Sequence, residues 1–346
     1  MNALRLDELL NGAVTSQIFP GAVLEITKDG ETIYRRAVGR QIYGPASPAI
    51  TEDTMFDLAS VTKAILATGF LKLIDAGRVS FEDPLTKYFP ALVGSAIADR
   101  TIWNLLTHTS AVEAPMSQIT GRGNSLEEIL RAVELKGPVG SEVVFGNINS
   151  FLLGKIIEQV SGQRLDDYLR QEIFTPLGMV KTMFNPPGEL KNSIPPTEII
   201  DGTTIQGVVH DESSRALGGV AGQAGLFSCA DDLTKFLQMW VNGGELNGTR
   251  ILSRELAERA TTNQVGNNLN LQAGLGWHFN NPDYLGSHSP VDTFFHPGFV
   301  GNIIAGNRGE KLTVVFLSNM SYPQRPDTQK RREFYRQLFD TLFKSI

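Results

Sequence analysis

Ser60 and Lys63 stand one helical turn apart in FDLASVTKAILATGFLKLIDAG, Phe56 to Gly77, in the most apolar part of that stretch. On a helix, positions i and i+3 share a face with their Cβ atoms about 5–6 Å apart, so the hydroxyl and the amine can meet. Val61, Ala64, Ile65, Leu66, Ala67, Phe70 and Leu71 make the segment apolar nearly all round, which predicts burial in a core. Burial disfavours an ammonium ion and lowers a lysine's pKa, by up to about 3–5 units. A neutral amine beside a serine can take its proton. A serine near a helix N-terminus also sits where N–H groups and the helix dipole favour a developing oxyanion. The pair therefore reads as a nucleophile and its base. Taken by itself, Ser-x-x-Lys is a short motif that chance also supplies, and a lysine whose stem snorkels to the surface is the bland alternative.

The elements that must position this pair can be read from periodicity. Residues 4–18 repeat leucine at helical spacing, with Leu4, Leu6, Leu9, Leu10 and Val14 on one side. GAVLEITK, then Asp29-Gly30, then ETIYRRAVG is a hairpin signal, since Asp-Gly suits a two-residue turn between alternating runs. Phe56–Gly77 is predicted as one helix with Gly77 at its C′ position. The stretch from about 80 to 210 is rich in helix and loop: SFLLGKIIEQVSG (150–162) and Leu165–Phe174 carry helical spacing. Another helix begins at Asp231, in DDLTKFLQMWVNGG. Strands return in FFHPGFVGNIIAGN and KLTVVFLSN around a turn at Arg308–Glu310, and the chain closes on the helix QKRREFYRQLFDTLFKSI. This order predicts an α/β (α+β) architecture. Residues 1–55 and 215–346 would form a sheet domain, and 56–214 a mainly helical region carrying the nucleophile.

Bulk properties narrow the function. A chain of 346 residues with 41% hydrophobic and 20% charged residues can bury a real core. Its net charge of -6 argues against a nucleic-acid partner, and the one dense basic run, Lys330-Arg331-Arg332, reads as a solvated helix face. The single cysteine, Cys229, allows neither an intrachain disulfide nor a multi-cysteine zinc site and reads as a packed thiol. MNALRLDELLN carries charges where a signal peptide needs an apolar core, and no run of about 18 apolar residues is present. The expectation is a cytoplasmic protein without a membrane span, unless a leader has been trimmed.

The segments TMFDLASVTKAILAT (54–68) and LLTHTSAV (105–112) resemble the serine β-lactamase and penicillin-binding-protein superfamily, in the branch of class C β-lactamases, DD-carboxypeptidases and related esterases. PVGSEVVFGNINSFLLGKIIEQVSGQ, IFTPLGMVKTMF, VVHDESSRALGGVAGQAGLFSCADDL and FFHPGFVGNIIAG extend the likeness across most of the chain, in the family's order. The resemblance implies an antiparallel sheet flanked by terminal helices beside an inserted helical region, with the active site in the cleft between. It implies Ser60 as the acylated nucleophile and Lys63 as its proton partner, without cofactor or metal. The family's Tyr-x-Asn motif reads Phe145-Gly146-Asn147 here, and its Lys-Thr-Gly or His-Thr-Gly reads His296-Pro297-Gly298. The amide of Phe299 would join that of Ser60 as the oxyanion hole, and Asn147 would orient Lys63 and the substrate.

Two departures matter. The family's tyrosine shuttles protons, and the Phe145 ring can neither accept nor donate one; such assistance is typically worth about 10²–10⁴-fold. Three readings stay open: Lys63 does both jobs, His296 takes over the shuttle with its reference pKa near ~6.5, or the site no longer catalyses. Pro297 replaces a hydroxyl that relatives use for a substrate carboxylate and offers no N–H either. An ester therefore ranks above an amide or a β-lactam as the small-molecule or peptide acyl substrate, with acyl transfer to a non-water acceptor as a variant. The alternative from another class is a pseudo-enzyme that binds an acyl or peptide ligand, against which the survival of Ser60, Lys63 and Asn147 counts.

Phe145, Gly298, Phe299 and His210 are the expected lining of the cleft. In His210-Asp211 the carboxylate either fixes the imidazole or, as the preferred reading, pins a loop. Gly218–Gly225 lacks the placement and the lysine of a phosphate loop and reads as a close-packed turn. His108 reads as support behind the site, His278 and His288 show no metal-ligand spacing, and Trp103 and Trp240 read as core.

Overall fold

The computed structural model describes residues 3–113, 130, 133–325 and 327–344. Helix α1 (Ala3–Thr15) leads into β1 (Gly21–Lys28) and β2 (Glu31–Gly39), joined by Asp29 and Gly30. Both turn residues have positive φ, 52° and 87°, as a type I′ turn requires, so the Asp-Gly signal is borne out. The later strands are β3 (Gln272–Ala273), β4 (His278–Phe279), β5 (Phe294–Pro297), β6 (Ile303–Asn307) and β7 (Leu312–Ser318). They close one antiparallel sheet in the order β3-β4-β5-β6-β7-β1-β2, with β1 paired to β7 from the other end of the sequence.

The strands of the sheet's centre are buried on both faces, which is why β1 and β7 read as near-continuous apolar runs. Ala22, Leu24 and Ile26 pack with Leu6 and Leu10 of α1 and with Phe334, Tyr335, Leu338 and Phe339 of the C-terminal helix α5 (Thr328–Phe343). Val23, Val315 and Leu317 point the other way. They join the larger core built from α2 (Thr62–Asp75), α3 (Asn147–Ser161) and α4 (Ala230–Val241). The expected arrangement, a sheet with terminal helices and a helical insert, is the observed one.

Three local expectations need correction. Leu4 is 68% exposed, so the apolar stripe of α1 begins at Leu6. Leu165–Phe174 opens as an α-turn but passes at Arg170 into a π-helical segment. Phe56–Gly77 is not one helix: Phe56–Asp57 is a strand paired with Leu226–Ser228, Ala59–Val61 is a 3₁₀ turn, and α2 starts only at Thr62. The physical reason is backbone pairing across the fold, where Leu58 N donates to Leu226 O, and Ala59 at φ 45°, which no right-handed helix accommodates. The C-terminal end agrees, with Gly77 at φ 65° after the last turn. Among the described residues, no helix is long and apolar enough to cross a membrane.

Candidate active site

Ser60 sits in the 3₁₀ turn immediately before α2, so the one-turn spacing survives although the helix starts later. Lys63 Nζ lies 2.9 Å from Ser60 Oγ. Lys63 is only 5% exposed, and burial pulls its amine down to about 8, against a smaller upward pull from the charge of Asp211. An amine so poised is partly neutral near physiological pH and can accept the hydroxyl proton across that distance. The turn's own hydrogen bonds begin with Val61 N, which donates to Leu58 O, so the Ser60 amide precedes the first of them. Asp57 fixes the turn from behind, with Oδ1 accepting from Ala59 N at 2.8 Å.

Phe145 precedes α3 and is held between two imidazoles. The His278 ring stacks on it with centroids 3.4 Å apart and planes 17° from parallel, and His108 lies 4.8 Å away on its other side. His108 acts as the expected support: Asn149 Nδ2 donates to its Nδ1 at 3.1 Å, and burial together with the charge of Lys63 pushes its pKa down to about 3. Its carbonyl also accepts from Val144 N, pinning the irregular segment that carries Phe145. The sequence around His278 shows only that it lacks metal-ligand spacing. Its true place was hidden because β4 reaches the site by pairing with β5, His278 opposite Phe295. Asn147 occupies the first turn of α3, and among the described residues no hydrogen bond links it to Lys63.

His296 lies on β5, its ring 4.8 Å from that of His278. Its Nδ1 lies 2.9 Å from Pro297 O, an acceptor only, so Nδ1 carries the proton. Burial, reinforced by the charge of Lys63, holds the ring's pKa well below the usual value, so the imidazole is neutral. Nε2 is then a buried lone pair, and it has no hydrogen-bond partner among the described residues. The group at this position is thus a neutral acceptor. Gly298 brings the following loop against the nucleophile turn, since a Cβ there would stand 2.7 Å from Leu58 O. Phe299 is 40% exposed at the rim, its carbonyl accepting from Arg331 Nη1 at 2.7 Å.

The ring of Phe299 stacks on the buried His210 imidazole, with centroids 5.4 Å apart. Asp211 does not fix that imidazole. Its Oδ1 caps the short helix Glu212–Ala216 by accepting from Ser214 N at 2.7 Å, the loop-pinning role. The imidazole partner is Glu198, 2.7 Å from Nε2 and itself bonded by Arg325 Nε at 3.2 Å; local sequence carried no signal for this pairing.

Gly218–Gly225 is a close-packed turn, as expected: a Cβ on Gly219 would lie 2.0 Å from Asn185 Oδ1. Cys229 is buried and its thiol is pushed up to about 11, which leaves it inert. Trp240 is core, whereas Trp103 is only partly buried against it. His288 pairs with Asp340 on the surface at 2.9 Å.

The Beta-lactamase family profile matches residues 6–336. The chain is 31% identical over 361 residues to an Escherichia coli (strain K12) protein named "Putative D-alanyl-D-alanine carboxypeptidase", covering 92% of this chain and 82% of that one. It is 27% identical to a Bacillus subtilis (strain 168) protein named N-acetylmuramyl-L-alanine amidase, covering 92% and 81%. Its fold is similar to the octameric penicillin-binding protein homologue from Pyrococcus abyssi, at TM-score 0.77 and 25% identity, over 99% of this chain and 78% of that one. EstCE1, a hydrolase with promiscuous acyltransferase activity, is similar at TM-score 0.78 and 20% identity, over 96% and 98%.

Proposed function

The chain belongs to the Beta-lactamase family of serine hydrolases, and from that premise we propose that it hydrolyses a small or medium ester through an acyl-enzyme on Ser60. The observation that carries this is the 2.9 Å contact between Ser60 Oγ and a buried amine with its pKa at about 8. Ser60 Oγ attacks the ester carbonyl while its proton passes to Lys63 Nζ, and the carbonyl oxygen becomes an oxyanion at the Ser60 and Phe299 amides. Collapse breaks the bond to the leaving alkoxide or phenoxide, which departs as the anion and takes a proton from water, while Lys63 Nζ gives up its proton to solvent. A water then repeats the sequence: it loses a proton to Lys63, attacks the acyl carbon, and Ser60 Oγ leaves and regains the proton.

The leaving group decides between substrate classes. An amine must be protonated before it departs, whereas an activated alkoxide or phenoxide departs without help. Phe145 supplies no proton, and the His296 ring, neutral with its pKa held low, is a poor donor. This favours an ester with a good leaving group. A second reading, an amide of a D-alanyl-D-alanine or N-acetylmuramyl-L-alanine type, is favoured by the names of the Escherichia coli and Bacillus subtilis relatives.

Incubation with a fluorophosphonate is expected to add one phosphonyl group to Ser60, and p-nitrophenyl esters are expected to turn over; Ser60→Ala should lose both. A folded wild-type protein with neither adduct nor turnover would favour a binding role instead. Phe145→Tyr is expected to raise alkyl-ester turnover by about 10-fold or more while leaving p-nitrophenyl esters nearly unchanged, because only the poor leaving group needs a new acid. Equal effects on both esters in a folded variant would count against the proton-donor argument.

A further inference from the structure

Asn302 is fully buried and ties three parts of the site together. Its Nδ2 donates to the Asp57 carbonyl at 2.7 Å, its own carbonyl accepts from Gly298 N at 2.7 Å, and its Oδ1 accepts from Ser318 N on β7 at 3.0 Å. Tyr335 of α5 adds a hydrogen bond to the same carbonyl, at 3.1 Å. Asp57 extends the chain of bonds, with Oδ1 taking Ala59 N at 2.8 Å and Oδ2 taking His210 N at 2.6 Å. Ser60 and Phe299, whose amides are read as the oxyanion donors, each follow directly after a residue whose N–H is held in this network: Ala59 by Asp57, and Gly298 by Asn302.

We propose that Asp57 and Asn302 are positioning residues that together set the separation and aim of the Ser60 and Phe299 amides. This rests on the reading that those amides receive the oxyanion. Neither side chain has to touch the substrate for this role. Ala59 is held at φ 45°, a conformation that is strained for a non-glycine residue and persists only where its surroundings enforce it. The Asp57 carboxylate supplies that restraint through a charge-assisted bond to the Ala59 amide. Burial pushes the Asp57 carboxyl upward, and its two backbone amide bonds oppose that push. If the restraint is lost, residue 59 relaxes and the Ser60 peptide rotates. An oxyanion donor must lie about 2.7–3.1 Å from the oxygen it receives, and losing one costs about 10²–10³-fold in kcat. A displacement of the amide by a few tenths of an ångström is therefore felt in the transition state more than in substrate binding.

The test uses the full chain and a matched pair of substrates, a p-nitrophenyl oxoester and its thionoester, in which sulfur replaces the carbonyl oxygen. Asp57→Asn is isosteric but turns one acceptor into a donor facing a backbone N–H. Asn302→Ser removes the bond to the Asp57 carbonyl from the other side. Each is expected to lower oxoester kcat by about 10–100-fold with KM within about threefold. The thionoester, which uses the two amides poorly, should lose less, so the oxoester-to-thionoester ratio falls with kcat. A merely structural role would lower both substrates equally. That result, or variants with unchanged melting and oxoester kcat within twofold of wild type, overturns the proposal. Should Asn302→Ser fail to fold, Asp57→Asn carries the test. The underlying reading fails separately: a wild-type enzyme that labels at Ser60 but does not prefer the oxoester has no oxyanion hole at these amides, and the clamp falls with it.

Discussion

Lys63→Met is expected to slow acylation of Ser60 by about 10⁴–10⁶-fold while making the protein more stable at neutral pH. Activity falls because methionine cannot take the hydroxyl proton from Ser60 Oγ, 2.9 Å from the native amine. Stability rises because the native side chain is a buried cation at pH 7. Its amine is lowered from 10.5 to about 8, mainly by burial. At about 1.4 kcal/mol per pKa unit, this corresponds to roughly 3 kcal/mol, reduced in the variant by the lost bond to Ser60. The sign follows from proton counting. Below the folded value, both states carry the proton and the cost is fully present. Between about 8 and 10.5 the unfolded chain binds the proton and the folded one does not, so wild-type stability rises with pH across that window. Thermal melts at pH 7 and pH 10 should show this rise in wild type and not in Lys63→Met. The wild-type rate with p-nitrophenyl esters should climb about tenfold per pH unit toward a plateau near 8. A variant within tenfold of wild-type acylation would remove Lys63 as the base, and a less stable variant would mean the amine is not a buried charge.

Gly222→Ala is expected to cost about 3 kcal/mol or more of stability, at the upper end for overpacking a tight contact. Gly222 lies where the Gly-rich turn passes between α2 and α3. A Cβ on it would stand 2.1 Å from the Ser150 carbonyl and 2.9 Å from the Leu66 side chain. Leu66 could swing aside, but the Ser150 carbonyl is backbone in the first turns of α3 and cannot. Relief would have to move α3, which carries Asn147 at its start, relative to α2, so ester turnover should fall together with the melting temperature. For a chain of this length the drop in Tm should be roughly 4 °C or more. A variant that melts within about 1 °C of wild type and keeps full turnover would show that the two helices have slack there. Gly219 makes a similarly close approach, but to the Asn185 side chain at 2.0 Å, so its substitution tests a softer neighbour, with φ strain from its 83° added.

The sequence by itself determined what depends on local geometry. A separation of three residues is enough to bring Ser60 and Lys63 together whether the backbone there is 3₁₀ or α, so their contact was legible before the fold was known. The Asp29-Gly30 turn was legible for the same reason, since a two-residue loop has few backbone solutions. The apolar run around Lys63 also announced a buried amine, and burial is what lowers its pKa. Only the tertiary structure decided the partners that come from elsewhere in the chain. Phe145 reads as a lost phenol in the sequence, and in the fold it is a ring held between His108 and His278. Asp211 pins a loop, as its sequence setting suggests, but only the fold shows that Glu198 takes the His210 imidazole. Asp57 and Asn302 carried no signal, because their bond closes 245 residues of chain. Backbone geometry fixes which neighbours can touch within a turn, whereas contacts between distant segments are chosen by how the two cores pack against the sheet and by which buried polar atoms must then be satisfied.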